Sequence, residues 1–572
     1  MRSQVIVRVR LLSGIFIVAA LFLIIRLYFV QMVHGDEYRE AATGQYVEAS
    51  SKSERRGDIL FTRKDGSSVA AAVMQSGYTI AIKPEDLVEP ASVYTALNEI
   101  IPIDRERFMK SASRLDDPYE EVAFRLNETQ ANAVWDKDLP GVLPVKGEWR
   151  MYPGQELAAH TIGFVGYQGE RRTGVYGIER YYDDTLKRDE SSLYVNPFAE
   201  IFSNVAAAFA SDPTTQEGSL VTVIEPDVQM ELSRTLKSIV EEYNAREVGA
   251  IVMDPKTGDV IALASLPDFN PNTYNIEEDS SVFSNPLVSS RYEMGSIMKP
   301  LTMAIGIDTD SISPSTTYDD RGFIMRSGYR IANYDGRGRG VVPMQEILSQ
   351  SLNTGTTFIA ERTGHDAFTE YFEALGFGEE TGIDLPHEIA GDMSALTAPG
   401  SSEVDLASAS FGQGIAVTPM EMIRALAALA NGGVLPEPHI ASAIRYPSGI
   451  ERKVTQAPPT RVFTQETADT VTRMLVKVFD EGLLKGELKQ EHYSFAAKTG
   501  TAQMGGPGCK GYCEGKYLHS FFGYFPAHDP RFIVLLYQVE PQGVEYASQS
   551  LARPFFGFAK FLINYYDIPP DR

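Results

Sequence analysis

Hydrophobic and polar positions recur along this chain of 572 residues with several periods, and each period predicts a different element. Leu11 to Val33, LLSGIFIVAALFLIIRLYFVQMV, is an apolar run of 23 residues with Arg26 and Gln31 as its strongly polar interruptions. At about 1.5 Å per residue, a helix of that length crosses the roughly 30 Å hydrocarbon core of a bilayer. Val228, Leu232, Leu236 and Val240 recur every four residues and predict an amphipathic helix. GAIVMDPKTGDVIALAS sets two apolar runs around an Asp-Pro/Gly-Asp turn, which predicts a hairpin. GYTIAIK, SFFGYFP and RFIVLLYQV read as strands. MQEILSQSLNTGTTFIAERTG, MEMIRALAALANGG and a stretch near Asp116 to Lys137 read as helices. Helices mixed with a hairpin-rich sheet predict an α+β architecture.

The length exceeds one ordinary core, so two or three domains are expected. With 43% hydrophobic and 22% charged residues, the chain can bury enough apolar surface to fold. Fifty-two basic against 76 acidic residues give a net charge of −24, which argues against a nucleic-acid partner, since phosphates demand a basic face. Arg2, Arg8 and Arg10 precede the apolar run, and VHGDEYREAA after it offers no small-x-small cleavage site. The positive-inside rule then predicts an uncleaved anchor with its N-terminus in the cytoplasm and the rest outside. The expected division is a cytoplasmic tail at 1–10, the anchor at 11–33, a mixed domain at 34–205, a small and polar linker at 206–217, and a second domain at 218–572. Cys509 and Cys513 sit four apart in GGPGCKGYCEGKY. Outside a membrane such a pair is a disulfide candidate, with two free thiols as the alternative. Zinc needs about four ligands and His519 is the only histidine nearby, so no metal site is expected.

EMGSIMKPLT carries the candidate chemistry. Ser296 and Lys299, three apart, share one face if the stretch is helical, and Pro300 predicts a helix beginning near Ser296. A helix N-terminus favours negative charge on an attacking or attacked oxygen. Downstream, SQSLNTG supplies Ser351 and Asn353, and FAAKTGTAQ supplies Lys498, Thr499, Gly500 and Thr501. The order S-x-x-K, S-x-N, K-T-G is the signature shared by penicillin-binding proteins and serine β-lactamases. An earlier K-T-G, Lys256 to Gly258, lies at the tip of the predicted hairpin and is assigned to turn chemistry.

With these motifs the chain resembles the class B penicillin-binding proteins, the monofunctional D,D-transpeptidases of peptidoglycan synthesis, and its C-terminal stretch, KYLHSFFGYFPAHDPRFIVLLYQVEP followed by ARPFFGFAKFLINYYDIPPD, resembles the septal, FtsI-type members. ERRGDILFTRKDG, RMYPGQELAAHTIGFVG and GVYGIERYYDDTL resemble motifs of the family's non-catalytic, dimerisation-type pedestal. ASLPDFNPN, SFGQGIAVTPMEM and ANGGVLPEPHI resemble motifs of its catalytic domain. Met294 stands where the family usually has proline, and the cysteine-bearing stretch is not a general feature. The resemblance implies a transmembrane helix, an elongated mixed pedestal, and a transpeptidase domain with an antiparallel sheet flanked by helices.

It also implies roles. Ser296 attacks the carbonyl between the last two D-alanines of a stem peptide, and neutral Lys299 takes its proton. Ser351 passes a proton to the leaving D-alanine and Asn353 holds the substrate amide. Lys498, Thr499 and Thr501 bind the terminal carboxylate, and backbone N–H groups of Ser296 and Thr501 form the oxyanion hole. No cofactor is implied. The implied partners are stem peptides, β-lactams, a glycan polymerase of the FtsW/RodA class and membrane proteins of the division complex, at the plasma membrane. D,D-carboxypeptidase activity or an elongation role are the nearer alternatives. A β-lactam sensor or a non-catalytic division scaffold is the alternative of another class. A β-lactamase is disfavoured because no E-x-x-L-N stretch follows Asn353.

Overall fold

The structure is a computed structural model that describes residues 22, 56–168, 171–187, 218–506, 508, 509 and 511–572. The predicted tail, the anchor apart from Phe22, and the linker lie outside the described residues. Among the described residues no helix is long and apolar enough to cross a membrane. By packing, the described residues from 56 onward divide into one unit within 76–149 and another within 56–75 and 150–572. That division differs from the expected boundary near 205, because parts of the expected first domain pack with the second.

The larger unit is built on a five-stranded antiparallel sheet. Its elements, in chain order, are α1 (Pro226–Tyr243), β1 (Glu247–Met253), β2 (Val260–Leu266), α2 (Lys299–Asp308), α3 (Asn353–Thr363), α4 (Pro419–Ala430), α5 (Gln465–Lys477), β3 (Ala496–Gly505), β4 (Tyr512–Phe525), β5 (Phe532–Val539) and α6 (Ala552–Tyr565). The strand order is β3-β4-β5-β1-β2. β1 and β2 form the predicted hairpin, with Ala250 opposite Ala264. All of β5 is buried, which explains its unbroken apolar run. Ile533, Leu535 and Tyr537 join one core, Val534 and Leu536 the other, as the two-residue period of a strand covered on both faces requires.

α1 and α6 cover one face. Val228, Leu232, Leu236 and Ile239 of α1 pack there with Phe555, Phe558 and Leu562 of α6. The predicted every-four pattern gives way at its last position, where Ile239 is buried and Val240 only half-buried, as 3.6 residues per turn demand. Pro226 starts this helix, the Glu225 side chain caps it by accepting from Val228 N at 2.6 Å, and left-handed Asn244 ends it. Leu301, Leu426 and Leu475 of α2, α4 and α5 belong to the core on the other face.

A second sheet in this unit sets Ile59–Thr62 parallel to Ser219–Thr222 and antiparallel to the first half of Ser68–Ile82. The three stretches read as pedestal motifs meet here in a buried charge network. Arg56 binds the Glu179 carboxylate through Nε, Asp183 Oδ1 through Nη1 at 2.8 Å and the Glu179 backbone carbonyl through Nη2 at 2.6 Å. Arg150 Nε donates to the other Glu179 oxygen at 2.6 Å.

The smaller unit holds its own core of Ile80, Ile82, Val93, Leu97, Phe108, Val122 and Leu126. Helices Pro90–Asn98, Arg105–Ala112 and Glu128–Trp135 pack on strand Glu120–Leu126 and the far half of Ser68–Ile82. The expected helix across 116–137 is therefore corrected to a strand followed by a shorter helix. Pairing with Ser68–Ile82 decides the first half, and the Asn127 capping box starts the helix after it.

Candidate active site

Ser296 lies in a 3-10 turn, Gly295–Met298, that runs into α2. Pro300 sits in the first turn of that helix, where a missing N–H leaves nothing unpaired, and the Ser296 carbonyl accepts instead from Lys299 N. The turn is gripped from three sides. Gly295 N donates to Gly412 O at 2.9 Å, and Ser520 Oγ donates to Met294 O at 2.7 Å. Glu293, two residues earlier, accepts from Gly414 N at 2.9 Å and from Tyr512 Oη at 2.8 Å. A Cβ on Gly412 would stand 2.2 Å from Gly295 O, and one on Gly500 would stand 2.7 Å from Met294 O. These two glycines let the S-F-G-Q-G loop and β3 touch the backbone that carries the serine.

Ser351 interrupts what reads as one helix in the sequence. The helix Met344–Ser349 ends, Ser351 takes a left-handed φ of 55°, and α3 starts at Asn353. Such a conformation is costly for a non-glycine residue and marks places where the surroundings impose it. Its result is that Ser351 and Asn353 both reach Lys299. Lys299 Nζ donates to Ser351 O at 2.6 Å, Ser351 Oγ at 3.2 Å and Asn353 Oδ1 at 2.7 Å. Lys498 Nζ meets the same Ser351 Oγ at 3.1 Å and its neighbour's carbonyl, Thr499 O, at 2.9 Å.

Both ammonium groups are out of water, Lys299 at 0% and Lys498 at 3% exposure, and among the described residues neither has an ion pair. Burial pushes Lys498 down to about 7. Burial, and then the Lys498 charge beside it, hold Lys299 well below the usual lysine range. A lysine so placed sheds its proton more readily than one in water, and once neutral it can accept a proton.

On β3, half-buried Thr499 and Thr501 alternate with buried Lys498, Gly500 and Ala502. Thr501 Oγ1 accepts from Ala547 N at 3.1 Å, and Gly500 pairs with Ser520 of β4. The earlier K-T-G lies at the β1–β2 turn, where Lys256 Nζ pairs with Asp529. Cys509 and Cys513 are joined in a disulfide on the β3–β4 hairpin, next to the Tyr512 that reaches Glu293. His519 is buried between Ser550 Oγ at 2.9 Å and Glu545 O at 3.1 Å. Among the described residues no group of three or more His, Cys, Asp or Glu side chains is arranged to hold a metal ion.

The structure thus brings Lys299, Ser351, Asn353 and Lys498 into one hydrogen-bonded cluster and sets Gly500 against the backbone of the turn that carries Ser296. Sequence reasoning missed the gripping residues Glu293, Gly412 and Ser520, and a polar hub of Asp320, Asn333 and Thr354 behind Asn353. The glycines of S-F-G-Q-G were a signal for the first group. The second group is scattered over a strand end, a loop and the start of α3, and left none.

Residues 248–558 match the penicillin binding protein transpeptidase domain, and residues 52–198 the penicillin-binding protein dimerisation domain. Stage V sporulation protein D of Bacillus subtilis is 29% identical over 562 residues, covering 97% of this chain and 85% of that protein. The probable peptidoglycan D,D-transpeptidase FtsI of Caulobacter vibrioides is 28% identical over 495 residues, covering 85% and 76%. Penicillin binding protein 3 of Mycobacterium tuberculosis superposes with a TM-score of 0.64 at 26% identity, covering 74% of this chain and 92% of that one. Since the transpeptidase match takes in more than half of the sequence, this chain belongs to the penicillin-binding protein transpeptidase family.

Proposed function

We propose that this chain is a serine-type D,D-transpeptidase that cross-links peptidoglycan stem peptides through an acyl-enzyme on Ser296, and that penicillins acylate the same serine. The observation that carries the reading is the Ser351 hydroxyl held between two buried lysines, 3.2 Å from Lys299 Nζ and 3.1 Å from Lys498 Nζ.

Lys299 takes the proton as Ser296 Oγ attacks the carbonyl between the two D-alanines. Ser351 touches both lysines, so it is placed to relay that proton to the departing D-alanine nitrogen. Lys498, when charged, with Thr499 and Thr501, binds the terminal carboxylate, and Asn353 holds the substrate amide. The N–H groups of Ser296 and Thr501 stabilise the oxyanion, a contribution of about 3 to 4 kcal/mol per donor. An amine from a second stem peptide then takes the acyl group and frees the serine.

An anchor at 11–33, an extracytoplasmic catalytic unit, and a membrane partner of the glycan-polymerase class complete the proposal. The FtsI-type reading of the C-terminal stretch puts the work at the septum. A fluorescent fusion is expected at midcell, and a uniform side-wall signal would overturn that assignment.

The central test is intact-protein mass spectrometry of the full chain in detergent after incubation with benzylpenicillin, followed by peptide mapping. A stable adduct on Ser296, absent from Ser296→Ala, is expected. Rapid loss of the drug without an adduct would instead identify a β-lactamase. Intact drug and unmodified protein would sink the enzymatic reading.

A further inference from the structure

Behind Asn353 a polar hub lies out of water. Asp320 ends the strand Thr317–Asp320 and is 2% exposed; Asn333, just after the strand Tyr329–Ala332, and Thr354, the second residue of α3, are each 3% exposed. Asp320 Oδ1 accepts from Thr354 Oγ1 at 2.8 Å, Gly322 N at 3.0 Å and Asn333 Nδ2 at 3.0 Å. Its Oδ2 accepts from Asn333 Nδ2 and Arg339 N, both at 3.0 Å. Asn333 Oδ1 accepts from Thr354 Oγ1 at 3.1 Å and from Thr354 N at 3.3 Å. A buried carboxylate is tolerated only when such bonds are made, so the hub ties three separate stretches into one arrangement.

Two of those stretches lead to Asn353. Thr354 is its neighbour in the chain. Ala332, the neighbour of Asn333, offers its carbonyl to Asn353 Nδ2 at 2.8 Å. With the amide nitrogen committed to that carbonyl, the amide oxygen must face the other way, and there it meets Lys299 Nζ at 2.7 Å. A turned amide would set N–H against the lysine and oxygen against the Ala332 carbonyl. The hub therefore decides which end of Asn353 the lysine meets.

We infer that Asp320, Asn333 and Thr354 are positioning residues of the acylation step: they hold the Ala332 carbonyl and the start of α3 together, and thereby fix the Asn353 amide oxygen on Lys299. The inference deepens the acyl-enzyme reading and rests on it. None of the three touches the reacting atoms. Their effect is on where Lys299 stands relative to Ser296, and misplacement on the order of 1 Å costs about 100-fold in rate.

The test compares Thr354→Val, which deletes the hydroxyl, with Thr354→Ser, which keeps it, in the full chain in detergent. Acylation by a fluorescent penicillin is followed over a range of concentrations, beside the melting temperature. Thr354→Val is expected to lower the limiting acylation rate by about 10- to 100-fold. The half-saturating concentration should move less than about threefold, the melting temperature should stay near wild type, and Thr354→Ser should restore the rate to within about twofold. Wild-type rates in folded Thr354→Val, or a Thr354→Ser as slow as Thr354→Val, overturn the inference. Should Thr354→Val fail to fold, Asp320→Asn, which turns an amide N–H toward Arg339 N and Asn333 Nδ2, is measured the same way, and an unchanged limiting rate there overturns it. Absence of labelling in the wild-type chain is the separate failure of the acyl-enzyme reading itself.

Discussion

Two clusters of charge are buried in the larger unit, and they are built on opposite plans. Around Glu179, two arginines face two carboxylates with charge-assisted bonds, forked from Arg56 and single from Arg150 Nε. Burial alone would raise the Glu179 carboxyl, but Arg150 and Arg56 beside it hold it lowered. At the active site, Lys299 and Lys498 share one hydroxyl, and among the described residues no carboxylate pairs with either. The first cluster keeps its charges by setting each beside an opposite one, although among the described residues both Nη groups of Arg150 stay unbonded. The second makes its charges easy to shed, which is what the proposed base role of Lys299 requires. Burial by itself says little about purpose; the sign of the neighbours does.

The sharpest way to break the comparison is to remove one charge from each cluster. Lys299→Met deletes the base and a poorly tolerated buried charge together. Acylation by penicillin is expected to slow by about 10²- to 10⁴-fold, while the melting temperature holds or rises. The sign follows from linkage. The folded pKa of Lys299 lies below the unfolded value of 10.5, so the unfolded chain binds more protons between the two. Wild-type stability therefore gains on the variant as pH rises through that window, and the variant's advantage is greatest below it. A Lys299→Met chain that melts well below wild type at neutral pH would show that this lysine is a structural member of its cluster.

Arg56→Ala should do the reverse. It leaves Glu179 and Asp183 short of a partner in a dry site, a loss on the order of 3 to 5 kcal/mol. Calorimetry should show a lower melting temperature for the larger unit, with Arg56→Lys falling between because an ammonium cannot fork to two carboxylates. In the protein that remains folded, acylation of Ser296 is expected within about twofold of wild type, since Arg56 makes no contact with Lys299, Ser351 or Lys498. Unchanged melting would remove the contrast.

The two clusters were unequally legible in the sequence. S-x-x-K, S-x-N and K-T-G named the residues that meet in the hydrogen-bonded cluster of the candidate site, because chemistry fixes residue type and helical or strand spacing fixes the rest. The break at Ser351 was not legible: MQEILSQSLNTGTTFIAERTG carries no proline, and the left-handed serine is imposed by packing rather than by propensity. The opposite error fell at Glu120–Leu126, where helix-compatible residues are recruited as a strand by pairing with Ser68–Ile82. Arg56, Arg150 and Glu179 lay within motifs already singled out. Their meeting across more than 120 residues depends on the second sheet, and no local pattern encodes it. The packing division at 75 and 149 was hidden for the same reason. A chain that leaves a unit and returns looks continuous when read in order.

The smallest expected effect separates the two lysines from each other. In the proposed acylation Lys299 is neutral when it takes the serine proton, which gives the rate a rising limb well below pH 10.5. In the same proposal Lys498 is charged when it receives the carboxylate, and burial pushes it down to about 7. Raising the pH through 7 should therefore weaken capture of penicillin, visible as a falling limb in the second-order acylation rate and worth up to about tenfold per pH unit beyond it. Arginine stays charged throughout this range. Lys498→Arg should accordingly lower the rate at its maximum through imperfect fit, yet lose the falling limb and stay flat up to about pH 9. The profile is read by labelling with a fluorescent penicillin from pH 5 to 9. A falling limb that persists unmoved in Lys498→Arg would transfer the titration to another group, and with it the claim that these two buried lysines divide the work between proton transfer and carboxylate binding.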